Sequence, residues 1–299
     1  MKKNYKSILL LVSLLLLLIL YFTHSNLIVK EIISYSNLFF YNIFPTSFIF
    51  LLLSCLLIEN NLFYYIQKII KNPGLYFFLV SLISGYPTGA IFLKDALQKK
   101  EIDRIDANRY IMFSHFPNPL FIMFHLNKLF PKTQIPFLFY GIIILSNSIL
   151  FFITKKQEKK DSISYYVSRP NSFQKSLFQA FSTLLLIYGT SIFFYLLSII
   201  ILYYIPLQNY LYVWLYGTFD LTKGIMMSNI ISNPTIQGLF LFYFIVFGSL
   251  PIHMQIKSIL SDTSISYKYF LKGRIISFTI CSFLWLILIG ARVIVKNLS

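Results

Sequence analysis

Asp220 and Lys223 are two charged residues inside the otherwise apolar stretch Trp-Leu-Tyr-Gly-Thr-Phe-Asp-Leu-Thr-Lys-Gly that starts at Trp214. A spacing of three places them one helical turn apart, where the two side chains can pair. An ionisable pair at membrane depth suits an ion- or proton-coupling step or contact with a solute, and it also occurs as a purely structural pair. Both readings are open from the sequence. The remaining acids lie in loops, at span edges or in short helices that leave the apolar runs.

A second set of residues interrupts the backbone itself. Ser84-Gly85-Tyr86-Pro87-Thr88-Gly89 breaks an apolar run where a membrane helix would continue, and His115-Phe116-Pro117-Asn118-Pro119 breaks the next one. Proline removes a backbone donor and pushes the preceding residue out of helical geometry. Unwound backbone in hydrocarbon is tolerated only where protein or a wet cavity satisfies it. The breaks therefore predict a polar cavity, with Gly85 leaving room for backbone to approach a ligand; the alternative is an ordinary packed kink. A third break, at Gly248 to Pro251, precedes His253 and Gln255, which with His115 and Asn118 can donate to a polar ligand. Short helices starting near Thr88 and Ile252 would point their partly positive N-terminal ends at the bilayer middle.

The elements that must hold these residues are membrane helices. The chain has 299 residues, 57% hydrophobic and 19% aromatic, with only 12% charged. A soluble domain has an apolar share of roughly 45 to 50%. Runs such as 38–58, 136–153 and 176–205 are close to the ~20 residues that cross a bilayer, and strand-like alternation is absent, so the expected fold is an all-α polytopic membrane bundle. It comprises about seven to nine apolar segments, with two re-entrant or broken-helix hairpins and an internal repeat. Lys2, Lys3 and Lys6 precede the first apolar run without a small-residue cleavage site after it, so it is read as a retained span rather than a signal peptide.

The net charge of +16 follows topology better than nucleic-acid binding. With a cytoplasmic N-terminus and a hairpin at 75–100 that returns to its own side, only Lys30, Lys128, Lys132, Arg292 and Lys296 among the loop and edge cations fall outside, a strong positive-inside bias. Arg274 counts as one of the inside cations. Residues 1–154 read as a first repeat with a linker span, 155–175 as a basic cytoplasmic loop, and 176–299 as a second repeat. The repeat rests on 85–102 matching 249–265, and on Arg-Tyr-Ile-Met-Phe-Ser from Arg109 matching Arg-Ile-Ile-Ser-Phe-Thr from Arg274. Whether the halves are parallel or inverted is open, because the hairpin bookkeeping gives parallel halves and full crossings give inverted ones.

Enzyme fingerprints are absent. There is no Gly-x-Ser-x-Gly, no His-Glu-x-x-His, no phosphate or dinucleotide loop, and one intramembrane aspartate where an aspartyl protease needs two. Cys55 and Cys281 lie in apolar runs as small hydrophobes. No catalytic residue, metal or cofactor is expected.

The strings Ser84 to Ala90, Arg109 to Ile122, Leu215 to Gly224, and Ile252 to Arg274 resemble, in order, the sporulation integral membrane proteins of the YlbJ type, which carry a nucleoside-recognition or Gate domain. The resemblance spans nearly the whole chain. It implies a multi-pass protein of the cell membrane or outer forespore membrane that moves a small anion, dipicolinate, and a Gate domain similar to part of the concentrative nucleoside transporters. The ligand-facing positions it implies are Ser84, Gly85, Pro87 and Gly89, then Asn118 and Pro119, then Asp220 and Thr222, then His253 and Gln255. Thr88 joins them as the start of the exit helix. The chain departs from the family at Pro117, Asn118, Asp220, Pro251 and Lys223, which bears on the substrate more than on the scaffold.

The expected function is a transporter of a small anionic or heterocyclic solute, with Asp220 and Lys223 as the ion-coupling pair. The alternative is a non-transporting membrane scaffold of spore-envelope assembly. The expected partners are membrane lipid and a small-molecule solute, and not nucleic acid.

Overall fold

The computed structural model describes residues 4–60, 65, 70, 72–154 and 173–290. The basic segment 155–172, the C-terminal 291–299 and Lys2 and Lys3 lie outside the described residues, so the cytoplasmic-loop reading of 155–175 rests on the sequence.

Every regular element among the described residues is helical. Two helices open the chain, α1 (Asn4–Thr23) and α2 (Ser25–Leu38), the latter running through a π-turn (Phe39–Ile43) into α3 (Phe44–Glu59). Next come α4 (Pro73–Ser84), α5 (Thr88–Gln98), α6 (Arg104–Tyr110), α7 (Pro119–Leu129) and α8 (Ile135–Thr154). The rest comprises α9 (Phe173–Tyr204), α10 (Asn209–Phe219), α11 (Leu221–Met227), α12 (Pro234–Phe242) with a π-turn (Tyr243–Gly248), α13 (Leu250–Leu260) and α14 (Tyr267–Gly290).

Five stretches are long and apolar enough to cross a membrane: Ser25–Leu57, Ile135–Thr154, Phe173–Tyr204, Pro234–Leu260 and Tyr267–Gly290. The chain is a multi-pass helical membrane protein. Within its most apolar window Pro234–Leu260 is 61% buried, against 28 to 33% for the other four, which makes this interrupted stretch the central element. The others turn large apolar side chains such as Phe152, Leu185 and Phe283 outward, as lipid-facing helices do.

Helix starts follow one chemical rule. α4, α7 and α12 each begin at Asn-Pro, where the asparagine side chain (Asn72, Asn118, Asn233) accepts a hydrogen bond from the first-turn backbone and the proline fills a position whose N–H has no helical partner.

Two pairs of helices fold back on themselves: α4 on α5, and α10 on α11. The first is the hairpin expected from the sequence. The second corrects it, because Asp220 does not lie within a helical span: its backbone is extended (φ −150°, ψ 123°) and it ends α10 and caps α11. Gly217 and Gly224 are the physical reason. A Cβ added to Gly224 would run into the Gly217 backbone, so the arms meet backbone to backbone. By contrast, α12 and α13 do not pack on each other as hairpin arms do. The break at Gly248 to Ser249 interrupts one continuing stretch, Pro234–Leu260.

Between hairpins and crossings the contacts are reciprocal. α5 lies along α13, and α11 lies along α7; α3 pairs with α9 and α8 with α14.

Candidate functional site

The first hairpin tip and the unwound stretch 111–118 form one structure. Gly85 has φ +73°, a left-handed conformation that glycine adopts freely, and a Cβ placed there would lie 2.6 Å from both N and Cα of Asn118. What approaches Gly85 is therefore the Asn118 backbone and not a ligand. Gly89 similarly presses on the Ser114 carbonyl. Pro87 caps α5, and Tyr86, between the two glycines, donates its backbone N–H to the Phe116 carbonyl at 2.7 Å and stacks its ring on His115, centroids 4.8 Å apart.

Three of the carbonyls freed by unwinding, those of Met112, His115 and Phe116, have identified partners, as buried backbone requires. Arg274, 1% exposed in α14, donates from Nη1 to the His115 carbonyl (2.9 Å) and from Nη2 to the Met112 carbonyl (2.8 Å) and Asn147 Oδ1 (3.2 Å). Gly273 allows this by packing directly on Met112. The cytoplasmic-edge cation of the charge bookkeeping is thus an interior backbone clamp. Asn118 does two jobs: Oδ1 accepts from Leu120 and Phe121 N–H, and Nδ2 donates to the Thr46 carbonyl on α3 (3.1 Å). Pro119 opens α7 beside it.

Beside these backbone contacts, side-chain polar atoms are left over. The Ser84 and Thr88 hydroxyls, the Tyr86 phenol, His115 Nε2, the Ser249 hydroxyl and His253 Nε2 are buried and have no hydrogen-bond partner among the described residues. Tyr86 stacks on His115, and His115 and His253 both stand edge-on to Phe270, at 4.8 and 5.5 Å. His253 Nδ1 is held by the Tyr267 hydroxyl at 2.6 Å. The first break and the third are joined in this way, and α5 and α13 both start from it.

Asp220, Thr222 and Lys223 have a different set of neighbours. Asp220, 2% exposed, accepts from the Lys223 backbone N–H at Oδ1 (2.7 Å) and from the Tyr35 hydroxyl at Oδ2 (2.5 Å). Thr222 is buried beside it. The expected side-chain pairing takes another form: the Lys223 contact is its backbone N–H, while its ammonium lies over the Tyr195 ring, 5.1 Å from the centroid. Capping is the reason, since a carboxylate at the start of α11 first satisfies the exposed N–H groups of that turn. Gln255 belongs to neither cluster; its Nε2 donates to Thr190 Oγ1 on α9 (3.0 Å) and acts as a packing contact.

Several neighbours escape sequence reasoning. Tyr35 and Glu31 lie far from Asp220 along the chain, with no local signal to connect them. Arg274 follows Lys268 and Lys272 at the head of α14, where nothing local sets it apart from an edge cation, and Tyr86 lies between Gly85 and Pro87.

No family model, curated protein or solved structure matches the chain.

Proposed function

We propose that the chain is a membrane carrier for a small polar solute, anionic or heterocyclic, held where the first hairpin tip meets the unwound stretch 111–118 and the start of α13. The observation that carries this is the group of buried polar side-chain atoms at Thr88, Tyr86, His115 and His253 that have no partner among the described residues. Leaving a buried polar group unsatisfied costs about 1 to 3 kcal/mol, and a fold retains several such groups where a ligand completes them. Asp220 serves as the coupling site. The resemblance adds dipicolinate as the first solute to test, and the cell or forespore membrane as its place.

The element order favours a duplication: long helix, hairpin, interrupted crossing, long helix, once over 25–154 and again over 173–290. Matching hairpin to hairpin replaces the sequence pairing of 85–102 with 249–265. Inverted halves fit this order, because the first hairpin opens toward the 99–103 loop and the second toward the opposite ends of the crossings. The bond from Lys94 on α5 to Asp262 after α13, 2.8 Å, is consistent with that path.

Uptake of labelled dipicolinate and of uridine into proteoliposomes tests the reading. Thr88→Val and Tyr86→Phe should abolish saturable uptake while thermal stability stays level or rises, because each removes an unpaired hydroxyl. Full uptake in both variants, or none in the parent chain for either solute, favours the scaffold alternative.

A further inference from the structure

Asp220 is where the carrier reading places coupling, and its neighbours restrict which ion can use it. Both carboxylate oxygens already face donors, Lys223 N–H on one and Tyr35 O–H on the other. A hard metal cation requires about six oxygen ligands turned toward it. Here it would meet the hydrogens of an N–H and an O–H, beside the turn that carries the Lys223 ammonium. A proton needs a single oxygen and can share the hydrogen bond that exists.

A second acid lies behind the first. The Tyr35 ring stacks on Tyr195, centroids 4.7 Å apart, and the Tyr195 hydroxyl donates to Glu31 Oε2 at 2.5 Å. Tyr35 and Tyr195 are 0% and 2% exposed, whereas Glu31 is only half-buried and lies toward the Ser25 end of α2. Two carboxylates, each bonded to a tyrosine and separated by the stacked pair, thus lead from that end of α2 to the tip of the second hairpin.

We propose that Asp220 is a proton site, loaded through Tyr35 and supplied from water by way of Glu31 and Tyr195, so that the coupling ion is a proton and not a metal cation. On loading, the Tyr35 O–H bond breaks as an O–H bond forms at Asp220 Oδ2, the Tyr195 hydroxyl proton passes to the Tyr35 oxygen, and Glu31 hands a proton taken up from water to the Tyr195 oxygen. The Asp220 carboxylate charge goes from −1 to zero, each tyrosine again carries one hydroxyl hydrogen, Glu31 ends as it began, and one proton has been drawn from solvent. The groups facing Asp220 are Tyr35 from α2, Tyr195 from α9 and Lys223 from α11, while Glu31 from α2 and Tyr216 from α10 stand one step further away, against Tyr195. The other elements on the hairpin, α7 and α13, bring His125, bonded to the Phe121 carbonyl, His253, bonded to Tyr267, and the cations Lys128 and Lys257, whose ammoniums lie over the Phe124 and Tyr267 rings.

The name "coupling ion" rests on the carrier reading; the proton site does not, so its test uses no solute. The full chain in lipid nanodiscs is melted across a pH series in sodium chloride and in choline chloride. Equal melting temperatures in the two salts are expected, together with parent and Asp220→Asn profiles that diverge by up to one bound proton per molecule. Asn retains the cap on α11. Stabilisation by sodium in the parent and not in Asp220→Asn, or parallel pH profiles for the two, overturns the proposal. If Asp220→Asn does not fold, Tyr35→Phe carries the test: it should displace the pH midpoint of the parent, and an undisplaced midpoint overturns the proposal. For the supply route, Trp214 fluorescence after a pH jump should relax at least tenfold more slowly in Glu31→Gln, and an unchanged rate excludes Glu31. A failed flux assay leaves all of these outcomes intact, and the reverse is also true.

Discussion

The two hairpin tips solve the same physical problem in opposite ways. At the first, backbone meets backbone: Tyr86 N–H bonds the Phe116 carbonyl, Gly85 rests on Asn118, and Arg274 takes two freed carbonyls, while the Ser84 and Thr88 hydroxyls and His115 Nε2 have no partner among the described residues. At the second, one side chain does the work, since Asp220 caps α11 with one oxygen and binds Tyr35 with the other. Interrupting a helix in oil thus leaves spare polar groups only where the main chain is satisfied by other main chain. A tip closed by its own carboxylate has none to spare for a solute, but it can hold a proton.

The largest effect that would break this contrast is steric. Gly85→Ala puts a Cβ 2.6 Å from the Asn118 backbone at a φ of +73°, so overpacking and left-handed strain together should cost about 3 kcal/mol or more. Gly248→Ala is the control: its φ is +95°, yet the new Cβ has no neighbour nearer than 3.6 Å, so only the conformational cost of about 1 to 2 kcal/mol is expected. Thermal unfolding of both variants checks the difference. Equal losses would mean that the first tip is not clamped backbone to backbone.

Next come the two capping side chains. Asp220→Ala removes a cap and strands the Tyr35 hydroxyl in a buried site, about 2 to 4 kcal/mol in all. Asn118→Ala loses its cap on α7 and one bond to α3, about 1 to 2 kcal/mol, because main-chain contacts and Arg274 still hold the stretch. In the Asp220→Ala background, Tyr35→Phe should restore part of the loss, and a double-mutant cycle on melting temperature measures the coupling. Additive losses would separate Tyr35 from Asp220.

Legibility in the sequence follows the same division. The first hairpin was readable because its cause is local: Gly, Pro and Gly within a short apolar run impose the break wherever they are packed. Its neighbour was readable from Pro117 and Pro119 for the same reason. The second hairpin was not, because Gly217 and Gly224 are ordinary helical spacings until two arms are known to meet across them, and an aspartate in an apolar run reads as a buried charge before it reads as a cap. The partners of Asp220 and the carbonyl clamp at Arg274 are set by packing between distant helices, which hydrophobic periodicity does not encode. Gln255 lies near a break along the chain, yet its side chain bonds Thr190 on α9.

The smallest effect belongs to the foot of the first hairpin, outside the spans. Glu101, in the α5–α6 loop, is 7% exposed, and burial pushes its carboxyl up from 4.5 to about 7; Asp95 nearby adds to the rise and Lys99 opposes it. A folded-state value above the unfolded one means that the folded chain holds the extra proton between those two values. Stability should therefore fall as pH rises from about 5 to 7 and level off beyond. Asp95, also raised by burial and opposed by its bond to Lys99, contributes in the same direction. Glu101→Gln should flatten the melting curve in that window and leave the variant more stable than the parent at neutral pH. The foot of the second hairpin, Ser228 to Asn233, carries no acid, so of the two feet only the first contributes to this slope, and the separate dependence from Asp220 at the second tip is the one that Asp220→Asn removes. A slope of the same size in Glu101→Gln would place the titrating group elsewhere and remove this last distinction between the two hairpins.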